Sequence, residues 1–283
     1  MESLVSHNII AIPALNDNYI WMIVHPRTQQ AMIVDPGEAT PVLQVLKEYN
    51  INLAAILITH HHWDHTNGIE EIIASHKAPV YAPLKDNVAN SDHPIKGGNE
   101  VEIPTMELKF QVIDIPGHTV GHVAYQRHQW AFTGDTLFTG GCGRIFEGTP
   151  DELYHSLCSL AELPLETHVY CGHEYTAANL RFAELVDPNN LILQKRIIET
   201  DRLRSRGLPT VPSTIALELQ TNPFLRCHLP EIQAAVGNYC GEPLADTVAV
   251  FAALRRLKEA LLPNLTALSV SQNLGATITR RHS

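Results

Sequence analysis

The sequence predicts an α/β domain followed by a smaller all-helical one, and three observations carry that reading. As far as about residue 174, short apolar runs of strand length alternate with helix signals. From Tyr175 onward the β-like runs stop and helix-length amphipathic stretches take over. The charge changes at the same place. Residues 1–174 hold 8 Lys and Arg against 21 Asp and Glu, a net of −13, whereas residues 175–283 hold 12 against 9, a net of +3. The expected domains are therefore 1–174 and 175–283.

The chain opens with three β-like runs, Asn8 to Ala14, Tyr19 to Val24 and Ala31 to Val34, separated by the turn-rich N-D-N, H-P-R and D-P-G. They suggest an antiparallel start to a sheet. Thr40, as an N-cap before Pro41, is expected to open an amphipathic helix through Tyr49. Leu53 to Ile58 then reads as a buried strand, Gly68 to Ser75 as a short helix, and Pro79 to Ala82 as another strand. Further strands are expected at Glu107 to Ile115, His122 to Gln126, Trp130 to Thr133 and His168 to Cys171. Between the last two, Thr149-Pro150-Asp151-Glu152 has the form of a capping box opening a helix to about Ala161. Beyond Tyr175, helices are expected over Ala177 to Val186, over Pro188 to Arg206 behind Asp187, and over Asp246 to Leu262. Asn264 to Ser283 gives no periodic signal.

The chemistry is concentrated at strand ends. Thr59 to His65, T-H-H-H-W-D-H, packs four histidines and an aspartate into seven residues directly after an apolar run. His60 and His62 share a side if the backbone is extended, and Asp64 and His65 face elsewhere after a bend, so one loop can serve two metals. The alternative is a solvated polar loop. His61 and Trp63 are read as residues that support the loop. Three weaker stations follow: Pro116 to His122 (P-G-H-T-V-G-H), Thr133 to Thr136 (T-G-D-T) and Gly172 to Tyr175 (G-H-E-Y). Alone, a His beside Gly in a turn, or an Asp at a strand end, is more often structural. Four repetitions of strand followed by His or Asp make a shared site credible.

Composition excludes several classes. No uninterrupted apolar stretch is long enough to span a membrane, and residues 1–12 lack a basic segment leading into an apolar one, so a cytoplasmic protein with no membrane partner is expected. Five cysteines without C-x-x-C spacing argue against a disulfide framework and against a structural Cys-zinc site. The acidic front part argues against nucleic acid. A basic back part suits a small anionic ligand, although solvated helix faces explain it equally well.

Taken in order, T-H-H-H-W-D-H, P-G-H-T-V-G-H, G-D-T-L-F and C-G-H-E-Y-T resemble the metallo-β-lactamase superfamily and, within it, glyoxalase II, the hydroxyacylglutathione hydrolases. I-P-A-L-N-D-N-Y, G-C-G-R-I-F-E-G, T-N-P-F-L-R and R-R-L-K fit the same subfamily. The resemblance implies a metallo-β-lactamase αββα sandwich followed by a helical domain that completes a glutathione site. It implies that His60, His62 and His118 hold one metal, that Asp64, His65 and His173 hold a second, and that Asp135 bridges them; His122 is read as structural. The ions would be two divalent metals, zinc first, with iron or manganese also suited.

The implied reaction is hydrolysis of S-D-lactoylglutathione by a metal-bridging hydroxide, with Asp64 and Asp135 as the catalytic carboxylates. The implied substrate residues are Arg144, Tyr175, Arg255 and Lys258, with backbone at Cys142 and Gly143. Arg144 and Phe146 stand where some members carry Lys and Tyr. A monomer is expected. The rival readings are a persulfide dioxygenase of the same fold using one iron, and a metal-stabilised scaffold; for the scaffold, seven candidate ligands exceed what one structural ion takes.

Overall fold

The structure is a computed structural model that describes residues 7–261. Its chain divides into two compact units. Among the described residues, the first comprises 7–138, Cys142–Glu174 and Val211–Ala216, and the second comprises Thr139–Gly141, Tyr175–Thr210 and 217–261.

The first unit is built on two six-stranded sheets. One sheet runs in sequence order through β1 (Asn8–Ala14), β2 (Asn18–Val24), β3 (Gln30–Val34), β4 (Asn52–Leu57), β5 (Val80–Pro83) and β6 (His93–Ile95). β1, β2 and β3 pair antiparallel as the sequence predicts, and β3 to β6 continue in parallel. The parallel connections need crossovers, which α1 (Ala39–Glu48), the single turn α2 (Trp63–Thr66) and α3 (Ile69–Ser75) supply. The second sheet contains β7 (Glu100–Ile103), β8 (Leu108–Asp114), β9 (Val123–Arg127), β10 (Trp130–Gly134), β13 (His168–Cys171) and β14 (Ser213–Thr214). Two short strands, β11 (Leu137–Phe138) and β12 (Gly141–Cys142), and the helix α4 (Pro150–Ala161) lie in the chain between β10 and β13.

β2 shows why the layers form. Its side chains alternate between faces, and both faces are apolar. Tyr19, Trp21 and Ile23 enter the core between the sheets with Phe110, Val112, Tyr125 and Phe132. Ile20 and Met22 face Val42 and Leu46 of α1 and Ile69 and Ile72 of α3. On α4, Leu153, Leu157 and Leu160 are buried at helical spacing. Burial of each large aliphatic side chain contributes about 1.5–3 kcal/mol.

Helix starts differ from expectation in two places. α1 begins at Ala39 with Glu38 in the cap position and no side-chain cap, so Thr40 lies inside the first turn. The helix expected behind Asp187 begins only at Leu191, where Asn190 Oδ1 accepts the N–H groups of Ile192 and Leu193. Asp187 instead ends α5 (Thr176–Val186). The Thr149–Glu152 capping box forms as expected, each side chain meeting the other residue's backbone N–H.

The second unit holds α5, α6 (Leu191–Arg204), most of α7 (Ile215–Thr221), α8 (Pro230–Cys240) and the helical residues 247–261. Buried Glu218 fixes α7 within it, its carboxylate accepting from Gly140 N–H at 2.8 Å and Asn222 Nδ2 at 2.9 Å. The expected helix over Asp246 to Leu262 runs over 247–261, behind Asp246 Oδ1, which accepts Ala249 N–H. Leu262 and Asn264 to Ser283 lie outside the described residues. No helix among the described residues is long and apolar enough to cross a membrane.

Candidate active site

The strand ends of the first unit deliver the polar stations to one place. β4 leads into Thr59–His65, β8 into the loop carrying His118, β10 into Asp135 and β13 into His173. His60, His62 and His118 form one group of ring nitrogens, and Asp64, His65 and His173 form another. In the first group, His62 Nδ1 lies 3.1 Å from His60 Nε2 and 3.0 Å from His118 Nε2. In the second, His65 Nε2 and His173 Nε2 are 3.3 Å apart, and Asp64 Oδ2 is 3.4 Å from His173 Nε2. Asp135 stands with both groups: Oδ2 is 3.2 Å from His173 Nε2 and 3.7 Å from His118 Nε2, and Oδ1 is 3.4 Å from His65 Nε2.

In four of these histidines the other ring nitrogen is tied back into the protein, and this fixes which nitrogen faces the site. His65 Nδ1 donates to Asp35 Oδ2 at 3.1 Å, and His173 Nδ1 to Asp17 Oδ1 at 2.8 Å. His118 Nδ1 donates to the Arg144 carbonyl at 2.8 Å. His60 Nδ1 donates to Thr59 Oγ1, whose own hydroxyl donates to Asp35 Oδ2. Asn18 Nδ2 donates to both the carbonyl and the carboxylate of Asp64. His122 has the opposite arrangement. Its Nε2 accepts the Asp135 N–H at 3.1 Å and its Nδ1 donates to the Val123 carbonyl, so both nitrogens are occupied and the ring supports Asp135.

The electrostatics divide the two groups. Burial holds His60, His62 and His118 below the ordinary imidazole value, and neighbouring imidazoles add to the effect. Burial acts in the same direction on His65 and His173, but Asp135 outweighs it, helped by Asp35 at His65 and Asp17 at His173. His65 is therefore raised well above the ordinary value, and His173 is raised to about 9. Asp135 is held well below the usual carboxylate range, since His173 and His65 overcome its burial.

Such a cluster fits metal ions. A tetrahedral ion with nitrogen ligands at about 2.0–2.1 Å sets those donors roughly 3.3–3.4 Å apart, and the ring nitrogens here converge at 3.0–3.3 Å. Asp135 Oδ1 is buried and has no hydrogen-bond donor among the described residues, which suits an oxygen that faces a cation. Gly172 keeps the space open, because a Cβ there would come within 2.5 Å of Asp135 Oδ1 and 2.6 Å of His65 Cε1.

The residues named for the substrate fall in both units. Cys142 and Gly143 are buried in the first, where Arg144 is exposed and offers its carbonyl to His118. Tyr175, Arg255 and Lys258 belong to the second. There Tyr175 is partly exposed, Lys258 Nζ donates to Asn179 Oδ1, and Arg255 and Lys258 both lie over the Phe224 ring, at 5.4 and 5.5 Å. Sequence reasoning missed Asp17, Asn18 and Asp35. They stand in N-D-N and D-P-G segments that read as turns, and nothing local distinguishes a turn aspartate from one that orients a distant histidine.

Comparison with known proteins agrees with this geometry. The metallo-β-lactamase superfamily model matches residues 15–173, and the model described as hydroxyacylglutathione hydrolase C-terminus matches residues 174–261. A hydroxyacylglutathione hydrolase of Alkalilimnicola ehrlichii is 51% identical over 251 residues, covering 89% of this chain and 98% of that protein. One of Methylobacillus flagellatus is 50% identical over 250 residues, covering 88% and 98%. Among solved structures, ETHE1 from Myxococcus xanthus superposes with a TM-score of 0.61 at 25% identity, over 89% of this chain and 98% of that one. The BLEG-1 B3 metallo-β-lactamase shares the fold at a TM-score of 0.60 and 24% identity, over 77% of this chain and 99% of that one. Half-identity across nearly the whole length, with the C-terminal model in place, makes this chain a member of the hydroxyacylglutathione hydrolase family within the metallo-β-lactamase superfamily.

Proposed function

We propose that the chain is a hydroxyacylglutathione hydrolase, a glyoxalase II, which cleaves S-D-lactoylglutathione and related S-2-hydroxyacylglutathiones to the 2-hydroxy acid and glutathione. This would make it the second step of methylglyoxal detoxification, carried out by a cytoplasmic monomer. The observation that carries the reading is the match of both parts of the chain to this family, at 51% identity over 89% of its length. The rival dioxygenase reading is disfavoured by the hydroxyacylglutathione hydrolase C-terminal match over residues 174–261.

In this reading His60, His62 and His118 hold one ion, Asp64, His65 and His173 hold the other, and Asp135 is shared. Two divalent ions, zinc with iron or manganese as alternatives, supply when bound a Lewis acid for the acyl oxygen and a water acidified toward neutrality. The protein's own part is orientation. Asp17 and Asp35 aim His173 and His65, the Arg144 carbonyl aims His118, and Asn18 holds Asp64 as a ligand. The leaving thiolate needs no protein acid, because a thiol pKa of about 8.5 lies near the working pH. Arg144, Tyr175, Arg255 and Lys258, with backbone at Cys142 and Gly143, are assigned to glutathione, whose carboxylates suit guanidinium and ammonium partners.

Incubation with S-D-lactoylglutathione is expected to remove the thioester absorbance and release one free thiol and one D-lactate without consuming oxygen. Oxygen uptake, or an intact thioester with metal bound, would contradict the reading.

A further inference from the structure

Asp86 contributes no donor to either ligand group, yet its carboxylate is fully buried beside the first one. It lies in the short turn after β5, far in sequence from every station described above. Its Oδ2 accepts the backbone N–H of His61 at 3.1 Å and the hydroxyl of Thr119 at 2.8 Å, and it lies 3.0 Å from His61 Nδ1. His61 stands between His60 and His62, and Thr119 follows His118. A single oxygen therefore holds the chain next to all three ring donors of the first group. Gly121 leaves room for this contact, since a Cβ there would fall 2.2 Å from Asp86 Oδ1. Glu147 continues the tie on the outer side: its Oε1 lies 3.0 Å from His61 Nε2 and its Oε2 accepts the Val120 N–H at 3.2 Å.

We infer that Asp86 is a positioning residue for the first ion, joining the loop of His60 and His62 to the loop of His118. The 3.0 Å spacing between His62 Nδ1 and His118 Nε2, on two separate loops, requires those loops to keep their register. A buried carboxylate is costly unless hydrogen-bonded, and here one of its oxygens, Oδ2, takes hydrogen bonds from both loops. Asp35 reaches both groups, His65 directly and His60 by way of Thr59, whereas the contacts of Asp86 fall beside His60, His62 and His118, so its effect is expected mainly on one ion. The inference rests on the reading that these groups bind metal.

The test is competition with a chromophoric chelator, which reads the affinity of each ion. The two affinities are assigned by reference to His118→Ala and His173→Ala. Asp86→Asn is expected to weaken the first ion by about 10- to 100-fold, the usual range for residues that orient ligands, and to leave the second within twofold. Thr119→Val removes one of the hydrogen bonds at nearly constant shape; it is expected to weaken the same ion to a smaller degree, and it serves if Asp86→Asn fails to fold. Unchanged affinity for the first ion, equal weakening of both, or loss of a third equivalent would overturn the inference. A wild-type protein that binds no ion would overturn the reading of the ligand groups themselves, which separates the two failures.

Discussion

Asp135 is the residue at which the two ligand groups meet, and its substitution should affect both. Asp135→Ala is expected to lower metal content and turnover together; full metal at a normal rate would remove it from the bridging position. The histidines around it should respond to pH in a definite order, because protons and metal ions compete for the same nitrogens. His60, His62 and His118 are held low and stay unprotonated through neutral pH, whereas His65 is raised and His173 stands at about 9. Without metal, acidification therefore protonates the second group first. In the metal-free protein, histidine NMR titration is expected to show His65 and His173 keeping their protons to higher pH than His60, His62 and His118; the reverse order would contradict it. The four stations were legible as His or Asp near the ends of apolar strands, whereas the choice of seven ligand candidates among them, with His122 left out, rests on the family resemblance. Asp17, Asp35 and Asp86 were not, since their value lies in partners that only the tertiary fold supplies.

At the scale of elements, strands were easier to read than helix ends. A strand buried on both faces prints a continuous apolar run, as β2 and β4 do, whereas β6, with Pro94 at its centre, and β7, with charged residues at alternate positions, print little. A helix start depends on which candidate cap meets free N–H groups. Thr149 and Glu152 satisfy each other locally and were legible, but Asp187 competes with Asn190 only three residues on, and Asn190 takes the role. α7 and α8 gave no clear sequence signal. Removing either working cap, by Thr149→Ala or Asn190→Ala, is expected to cost about 1 kcal/mol in denaturant unfolding. A change near zero would show that tertiary contacts hold those helix starts without the cap.

For the whole molecule, the contrast between an acidic front and a basic back fits a division of labour in which the first part holds cations and the second meets an anionic substrate. If Lys258 meets the remote part of the substrate, as the proposed function assigns it, Lys258→Ala is expected to raise KM severalfold with kcat little changed. An unchanged KM would remove Lys258 from the site. The two-ion hydrolase itself is tested most directly by metal titration of the chelator-stripped protein while S-D-lactoylglutathione cleavage is followed. Activity should be absent without metal and should rise with added zinc until two equivalents per chain are bound. Cleavage by the stripped protein, or saturation at one equivalent, would contradict it.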